Sequence, residues 1–210
     1  CYHNAMMGPL VQPAPTQQAM DRALKGKVIA LAETRELDLL ARMFEERGAT
    51  TVRCPLVTIL DAPDKAPIEA WISRFTAGQC DDLILMTGEG LRRLVGFAER
   101  AGLKAGFLAA LSQVRKITRG PKPARALREF GLSPDFAAAE ATTEGVIETL
   151  SGLNLRGKRV GLQLFGDERI AALETFLQQA GATVDAVAPY IYAPAANDER
   201  PQRTGRRWRG

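Results

Sequence analysis

The chain has 210 residues, a formal net charge of +4, 46% hydrophobic residues and 6% aromatic residues. Five of its 28 basic residues are arginines in the last eleven positions, so the rest is nearly neutral and predicts no nucleic-acid-binding surface. A single histidine, three cysteines without a CxxC pair, and no signal or membrane-spanning segment predict a cytoplasmic protein without a metal site or a histidine-based triad.

Residues 1–23 predict a flexible leader, because prolines punctuate them and no apolar periodicity runs through them. Residues 27–31 then predict a strand, and the next apolar residues lie at helical spacing: Leu37, Leu40, Met43 and Phe44. Gly48 ends this helix, and residues 52–60 predict an extended segment that Pro55 confines to a sheet edge or a crossover and keeps out of the centre of a sheet. We assign residues 24–60 to an opening βα unit of a first lobe plus a connector strand.

Residues 61–187 alternate between helical and extended patterns and predict a second lobe. Helices are predicted at residues 67–77, after Gly90 and at residues 143–150, and a further helix with Pro123 in its first turn runs to Phe130. Buried strands are predicted at residues 83–86, 114–118, 160–165 and 184–187. The remaining residues, 188–210, predict a return connector and a disordered basic tail.

An internal repeat links the two parts of the chain. Gly-Lys opens residues 26–59 and residues 157–192, Gly-Ala-Thr closes the helix of each segment, and a proline follows in both. Gly181 occupies the position of a left-handed C-terminal cap in the second copy. The repeat predicts a two-lobed α/β protein with parallel sheets flanked by helices.

Two nucleotide-binding motifs fail on position, so no cofactor is predicted. Gly88-Glu89-Gly90 follows a strand, but Arg93 stands where a dinucleotide fingerprint has its third glycine. Residues 152–158 have the spacing of a phosphate-binding loop, but they precede their strand and Arg159 replaces the magnesium-binding hydroxyl.

The predicted strands end in turns that carry hydroxyls, glycines and basic groups. Because the carboxyl ends of parallel strands meet at one edge of a sheet, these turns predict an anion-binding cleft. The candidate residues are Thr34, Arg35, Thr87, Gly88, Thr118, Arg119, Lys122, Thr143, Glu144, Gly166 and Arg169. The alternative is that each threonine only caps a helix and each arginine is only solvated.

The order of these motifs resembles the uroporphyrinogen-III synthase family. The segments that carry the resemblance are Thr34-Arg35, Pro55-Leu56, residues 82–90, residues 114–127, Thr143-Glu144-Gly145 and residues 160–190. The resemblance implies two α/β lobes joined by a two-stranded connector. It also implies a monomeric lyase of heme and other tetrapyrrole biosynthesis that uses no cofactor or metal.

Such an enzyme closes linear hydroxymethylbilane, a small-molecule tetrapyrrole, into uroporphyrinogen III, inverting the last pyrrole ring and losing water. The family's important tyrosine falls at Tyr190, which could donate a proton to the leaving hydroxyl. The alternative role for Tyr190 is packing beside Pro189 in the connector.

Three departures from the family pattern leave a second function open. Pro123 stands where a threonine is usual, and Gly88 where a serine is usual. A C-terminal segment that completes the first lobe in the family is absent, which predicts a truncated or frameshifted chain with an incomplete first lobe. A non-catalytic ligand-binding or regulatory module on the same scaffold is therefore the alternative to an active synthase.

Overall fold

A computed structural model describes residues 23–32, 36–166 and 169–194 of the chain. The chain divides into two compact units, of which unit 2 is the continuous stretch Ile59–Ala193. Unit 1 contains the described residues on either side of that stretch. Both units contain parallel strands and helices, so the predicted α/β fold with parallel sheets flanked by helices is confirmed.

Unit 1 contains a strand, a helix and a second strand: β1 (Val28–Leu31), α1 (Leu37–Glu45) and β2 (Thr50–Arg53). The two strands are parallel, with Val28 beside Thr50. The extended segment predicted after the helix consists of two strands, because β2 ends before Pro55 and β3 (Val57–Asp61) begins after it. Proline has no N–H to donate to a ladder, which explains the interruption.

The strands after β3 are β4 (Asp82–Leu85), β5 (Arg115–Thr118), β6 (Phe136–Ala137), β7 (Arg159–Gln163), β8 (Thr183–Val187) and β9 (Tyr190–Pro194). The helices after α1 are α2 (Ala66–Thr76), α3 (Gly88–Arg100), α4 (Lys104–Gln113), α5 (Pro121–Arg128), α6 (Thr143–Ser151) and α7 (Ala171–Gln179). Five strands form one parallel sheet in the order β6-β5-β4-β7-β8, and β3 pairs with β9. The sequence did not predict α4 or β6.

The two βαβ units of the internal repeat are similar in sequence and also form equivalent hydrogen bonds. In unit 1 the Thr50 N–H donates to Lys27 O at 2.8 Å, and in unit 2 the Thr183 N–H donates to Lys158 O at 2.9 Å. The predicted left-handed cap at Gly181 is confirmed, because its φ is 80°. Each repeat is therefore a parallel strand–helix–strand unit.

The sheet of unit 2 is buried on both faces. All residues of β4 are buried, and those after Asp82 alternate between two hydrophobic clusters. Leu83 and Leu85 pack with α2, α3, α4 and α5, whereas Ile84 packs with α6 and α7. Leu83, Ile84 and Leu85 face these two clusters, which confirms the buried strand predicted from the apolar run.

The third-glycine position of the failed dinucleotide motif has a structural role. Arg93 on α3 donates from Nη1 to Asp61 Oδ1 at 2.5 Å and from Nη2 to Ile59 O at 3.1 Å. Arg100, two turns further along the helix, donates to the other oxygen of Asp61 at 2.8 Å. These bonds tie the end of β3 to α3.

Polar side chains also join the strands where they begin. The Asp81 carboxylate, just before β4, accepts hydrogen bonds from the Arg159 backbone N–H at 2.8 Å and from its guanidinium at 2.8 and 3.0 Å. The Arg159 side chain, followed by its backbone N–H, lowers the pKa of Asp81 to about 2. Because this pKa is lower than in the unfolded chain, the bond stabilises the fold above about pH 4 and is lost as the pH falls toward 2.

We expect Asp81→Asn to lower the free energy of unfolding at pH 7 by about 1 kcal/mol, because part of the carboxylate is exposed and water screens it. The difference from the parent chain should be constant above pH 5 and should shrink below pH 4, as measured by urea unfolding at several pH values. Glu99→Gln, which removes a carboxylate from an exposed pair with Lys104, is the matched control. A difference that persists unchanged at pH 3 would contradict the assignment.

Candidate functional site

Four parallel strands of unit 2 end at the same edge of the sheet, and we call this the carboxyl edge. The segments that follow β4, β5, β7 and β8 begin there and include Thr87, Arg119, Phe165 and Tyr190. Ligands of open parallel sheets bind at this edge. The predicted turns are therefore brought together in unit 2 as far as the structure describes them.

The centre of the carboxyl edge is a hydrogen bond between Thr87 Oγ1 and Tyr190 Oη, 3.1 Å long. The Thr87 hydroxyl also caps α3, because it accepts a hydrogen bond from the Gly90 N–H at 3.0 Å. Tyr190 is completely buried. The Tyr190 phenol, the predicted proton donor, is therefore held in place by the hydroxyl of Thr87, which caps α3.

A third residue, Gln163, holds Thr87 and was missed from the sequence. It is completely buried at the end of β7, and its Oε1 accepts a hydrogen bond from the Thr87 N–H at 3.0 Å. Its Nε2 donates to Leu164 O and lies 3.4 Å from Thr87 Oγ1. The available signal was an amide side chain inside a run of apolar residues, since a buried polar group needs hydrogen-bond partners.

The turn after β5 supplies a hydroxyl and a positive charge. Thr118 is completely buried, and its Oγ1 has no hydrogen-bond partner among the residues that the structure describes. Arg119 lies over the Phe165 ring, with its guanidinium carbon 4.9 Å from the ring centroid. Its position over that ring brings the turn after β5 next to the turn after β7.

Helix α5 begins at Pro121, so Pro123 lies in its first turn as predicted, and the helix ends at Arg128, two residues before Phe130. The first and third residues of α5 are prolines, which have no backbone N–H. Among the first three residues of this helix, Lys122 is the one that has an N–H. The Lys122 side chain is exposed, so α5 offers a flexible ammonium group more than a set of helix N–H donors. Gly88 packs against this turn, because a Cβ there would lie 2.8 Å from Lys122 O.

Helix α6 begins at Thr143, as predicted, but Thr142 is its cap and accepts a hydrogen bond from the Gly145 N–H at 3.0 Å. The segment before it is close to the turn after β5, because a Cβ at Gly120 would lie 2.8 Å from Ala141 Cβ. Thr143 is half-buried and Glu144 is exposed. The start of α6 therefore adds backbone N–H groups near Arg119.

The last predicted turn contributes less positive charge than the sequence suggested. Arg169 donates from Nε to the buried Glu174 at 2.7 Å, and this pair lowers the pKa of Glu174. Gly166 packs against the Tyr192 ring, because a Cβ added to Gly166 would lie 3.2 Å from Cδ2 of that ring. Thr34 and Arg35 lie outside the described residues.

Unit 2 also has a cavity away from the carboxyl edge. A cavity of about 620 Å³ lies at the opposite edge of the sheet, lined by α2, α4, Asp81 and Lys158. Cys80 also lines it, and burial raises the pKa of this thiol to about 11, which makes it a poor nucleophile. Within the described ranges no cluster of His, Cys, Asp and Glu could hold a metal ion, and no helix is long and apolar enough to cross a membrane.

The carboxyl edge thus combines three hydroxyl groups with two positively charged side chains. The hydroxyls belong to Thr87, Thr118 and Tyr190, and the charges belong to Arg119 and Lys122. Such groups bind carboxylates by charge-assisted hydrogen bonds, and the phenol can transfer a proton.

Comparison with known proteins points to one family. A family model described as "Uroporphyrinogen-III synthase HemD" matches residues 38–208. The protein named "Uncharacterized protein YjjA" from Bacillus subtilis is 34% identical over 175 residues, which are 83% of this chain and 64% of that protein.

Solved structures agree with the sequence comparison. The fold is similar to that of a mutant uroporphyrinogen III synthase from Thermus thermophilus, with a TM-score of 0.64, 25% identity, and coverage of 81% of this chain and 64% of that one. The wild-type enzyme from the same organism gives a TM-score of 0.53 and 26% identity, with coverage of 81% and 63%. This chain spans slightly less than two thirds of the length of these relatives. Since the family model covers most of the chain, the chain belongs to the uroporphyrinogen-III synthase family.

Proposed function

We propose that the chain closes hydroxymethylbilane into uroporphyrinogen III, with inversion of the last pyrrole ring and loss of water. The observation that carries this proposal is the 3.1 Å hydrogen bond between Tyr190 Oη and Thr87 Oγ1 at the carboxyl edge. It supports a proton-donating phenol beside groups that suit an anionic substrate. Membership of the family supports the same reaction.

The substrate of this reaction carries eight carboxylates, and the carboxyl edge offers complementary groups. Arg119 and Lys122 supply positive charge, and the buried Thr118 hydroxyl has no hydrogen-bond partner within the described ranges. The first N–H groups of α3 and α6 have no acceptor within their own helices, and helix N-termini favour anions. Glu144 has the wrong charge for a carboxylate, so only its N–H is proposed to contribute.

The remaining candidates have smaller or separate roles in this proposal. The Arg169 guanidinium is already paired with Glu174, so we propose that it orders the turn after β7 with Gly166 and does not bind a carboxylate tightly. Thr34 and Arg35 are proposed as further substrate contacts on the strength of the family pattern alone.

Tyr190 has a defined chemical task in this reaction. The terminal hydroxyl of hydroxymethylbilane must leave as water, and the phenol donates the proton to it as the carbon–oxygen bond breaks. The Thr87 hydroxyl stabilises the phenolate that remains. When the macrocycle closes, the proton lost from the substrate carbon restores the phenol.

A non-catalytic ligand-binding module is the second candidate. It is favoured by Gly88 and Pro123, which are buried where the family pattern has hydroxyls. Calorimetric binding of uroporphyrinogen III by a chain that forms none of it would support this second function and exclude the first.

The first prediction tests turnover directly. The purified chain, supplied with enzymatically made hydroxymethylbilane, should give mainly isomer III when the oxidised porphyrins are separated by chromatography. Uncatalysed closure gives isomer I. Formation of isomer I alone, at the rate seen in buffer, would refute the proposal.

A second prediction concerns the phenol. Tyr190→Phe keeps the ring and removes the proton donor, so kcat should fall by about 10²-fold or more while KM changes little. Tyr192→Phe is the matched control, because Tyr192 is half exposed and its ring packs edge-on against Tyr190 at 5.6 Å. Equal activity of the two variants would show that Tyr190 is not the proton donor.

A third prediction concerns the carboxylates of the substrate. Lys122→Gln removes one positive charge at the start of α5 and should raise KM by about tenfold, the size of one charge-assisted hydrogen bond, with kcat within twofold. Arg128→Gln, at the exposed other end of the same helix, should leave KM unchanged. If both variants raise KM equally, Lys122 contributes only to the general charge of the surface.

A further inference from the structure

The orientation of the Gln163 amide is fixed by two backbone groups. Its Oε1 faces the Thr87 N–H at 3.0 Å, and its Nε2 faces the carbonyl oxygen of Leu164. An N–H can only donate and a carbonyl can only accept, so the opposite orientation would oppose like groups twice. Because the side chain is completely buried, water does not offer replacement partners.

This fixed amide determines the direction of the hydrogen bond at Thr87. The Thr87 hydroxyl has one hydrogen and two acceptor sites, and its acceptor sites face the Gly90 N–H at 3.0 Å and Gln163 Nε2 at 3.4 Å. Its single hydrogen is therefore left for Tyr190 Oη at 3.1 Å. In this arrangement Thr87 donates and Tyr190 accepts.

The packing makes room for the amide at one position on α3. A Cβ added to Gly90 would lie 2.0 Å from Gln163 Nε2 and 2.1 Å from its Cδ. The Gln163 amide therefore fits only because Gly90 has no side chain. The first turn of α3 and the end of β7 pack closely at this point.

We propose that Gln163 is a positioning residue for Tyr190, acting through the Thr87 hydroxyl. A phenol oxygen that accepts a hydrogen bond is a better proton donor, because the bond strengthens as negative charge develops on that oxygen. In this arrangement the hydrogen shared between the two oxygens belongs to Thr87 and not to the phenol. This inference rests on the proposed function, since it assigns Gln163 a part in the proton transfer.

The first experiment uses steady-state kinetics of the full chain. Gln163→Met keeps the approximate shape of the side chain and removes both polar atoms, so kcat should fall 10- to 100-fold with KM within twofold. The alkaline limb of the kcat profile, where the donor loses its proton, should move to higher pH. Val160→Ala, a core truncation in the same strand, controls for lost stability, because Val160 is buried but has no part in the polar network.

Gln163→Glu is a second variant that distinguishes hydrogen bonding from packing. A protonated carboxylic acid can accept from the Thr87 N–H and still donate one hydrogen, whereas the carboxylate cannot donate. Activity of this variant should therefore recover toward the parent level as the pH is lowered. A pH-independent loss equal to that of Val160→Ala in both Gln163 variants would overturn the inference.

A second readout needs no turnover. In a Tyr2→Phe, Tyr192→Phe background Tyr190 is the single tyrosine, so its ionisation can be followed by ultraviolet absorbance. We expect Gln163→Met to move this titration to higher pH and Val160→Ala to leave it in place. If the chain has no synthase activity but Gln163→Met shifts the titration, the positioning network is supported and the proposed function is refuted. If the chain is active but Gln163→Met does not shift the titration, the role of Gln163 is refuted and the proposed function stands.

Discussion

A parallel sheet buried on both faces leaves polar side chains room mainly at the ends of its strands. The central strand β4 is buried at every residue, and its side chains after Asp82 alternate between two hydrophobic clusters. At its start, Asp82 pairs with Arg115 on the neighbouring strand, and beyond its end lies Thr87. The location of the candidate site is therefore a consequence of how the core is built.

The same constraint explains why structural and functional roles coincide at these turns. Thr87 is a helix cap and also the partner of Tyr190, so the capping alternative does not compete with the functional one. Gln163 is a polar residue within the apolar run of residues 160–165, and this is tolerated because its amide has backbone and side-chain partners. The prolines of α5 show the reverse case, in which a helix start has few N–H groups to offer.

The sequence predicted the features that depend on local chemistry. Gly181 in a left-handed cap and the two βαβ repeats follow from glycine's freedom at positive φ and from apolar spacing. Helix α4 was not predicted because it contains alanines on several sides and its apolar residues form no single stripe. Strand β6 has two exposed residues and exists because β5 pairs with it.

The site was harder to predict than the fold, because it depends on pairs of residues distant in sequence. Gln163 and Thr87 are 76 residues apart in sequence and meet only because β4 and β7 are neighbouring strands. Arg169 and Glu174 are an exception, because only five residues separate them. The pairing of β3 with β9, held on one side by Asp61 and α3, has a different consequence. It brings the two ends of unit 2 side by side, which is the geometry of a domain inserted into another chain. Such a segment could be excised or circularly permuted with little strain, and during synthesis its last pairing must wait until nearly the whole unit has left the ribosome.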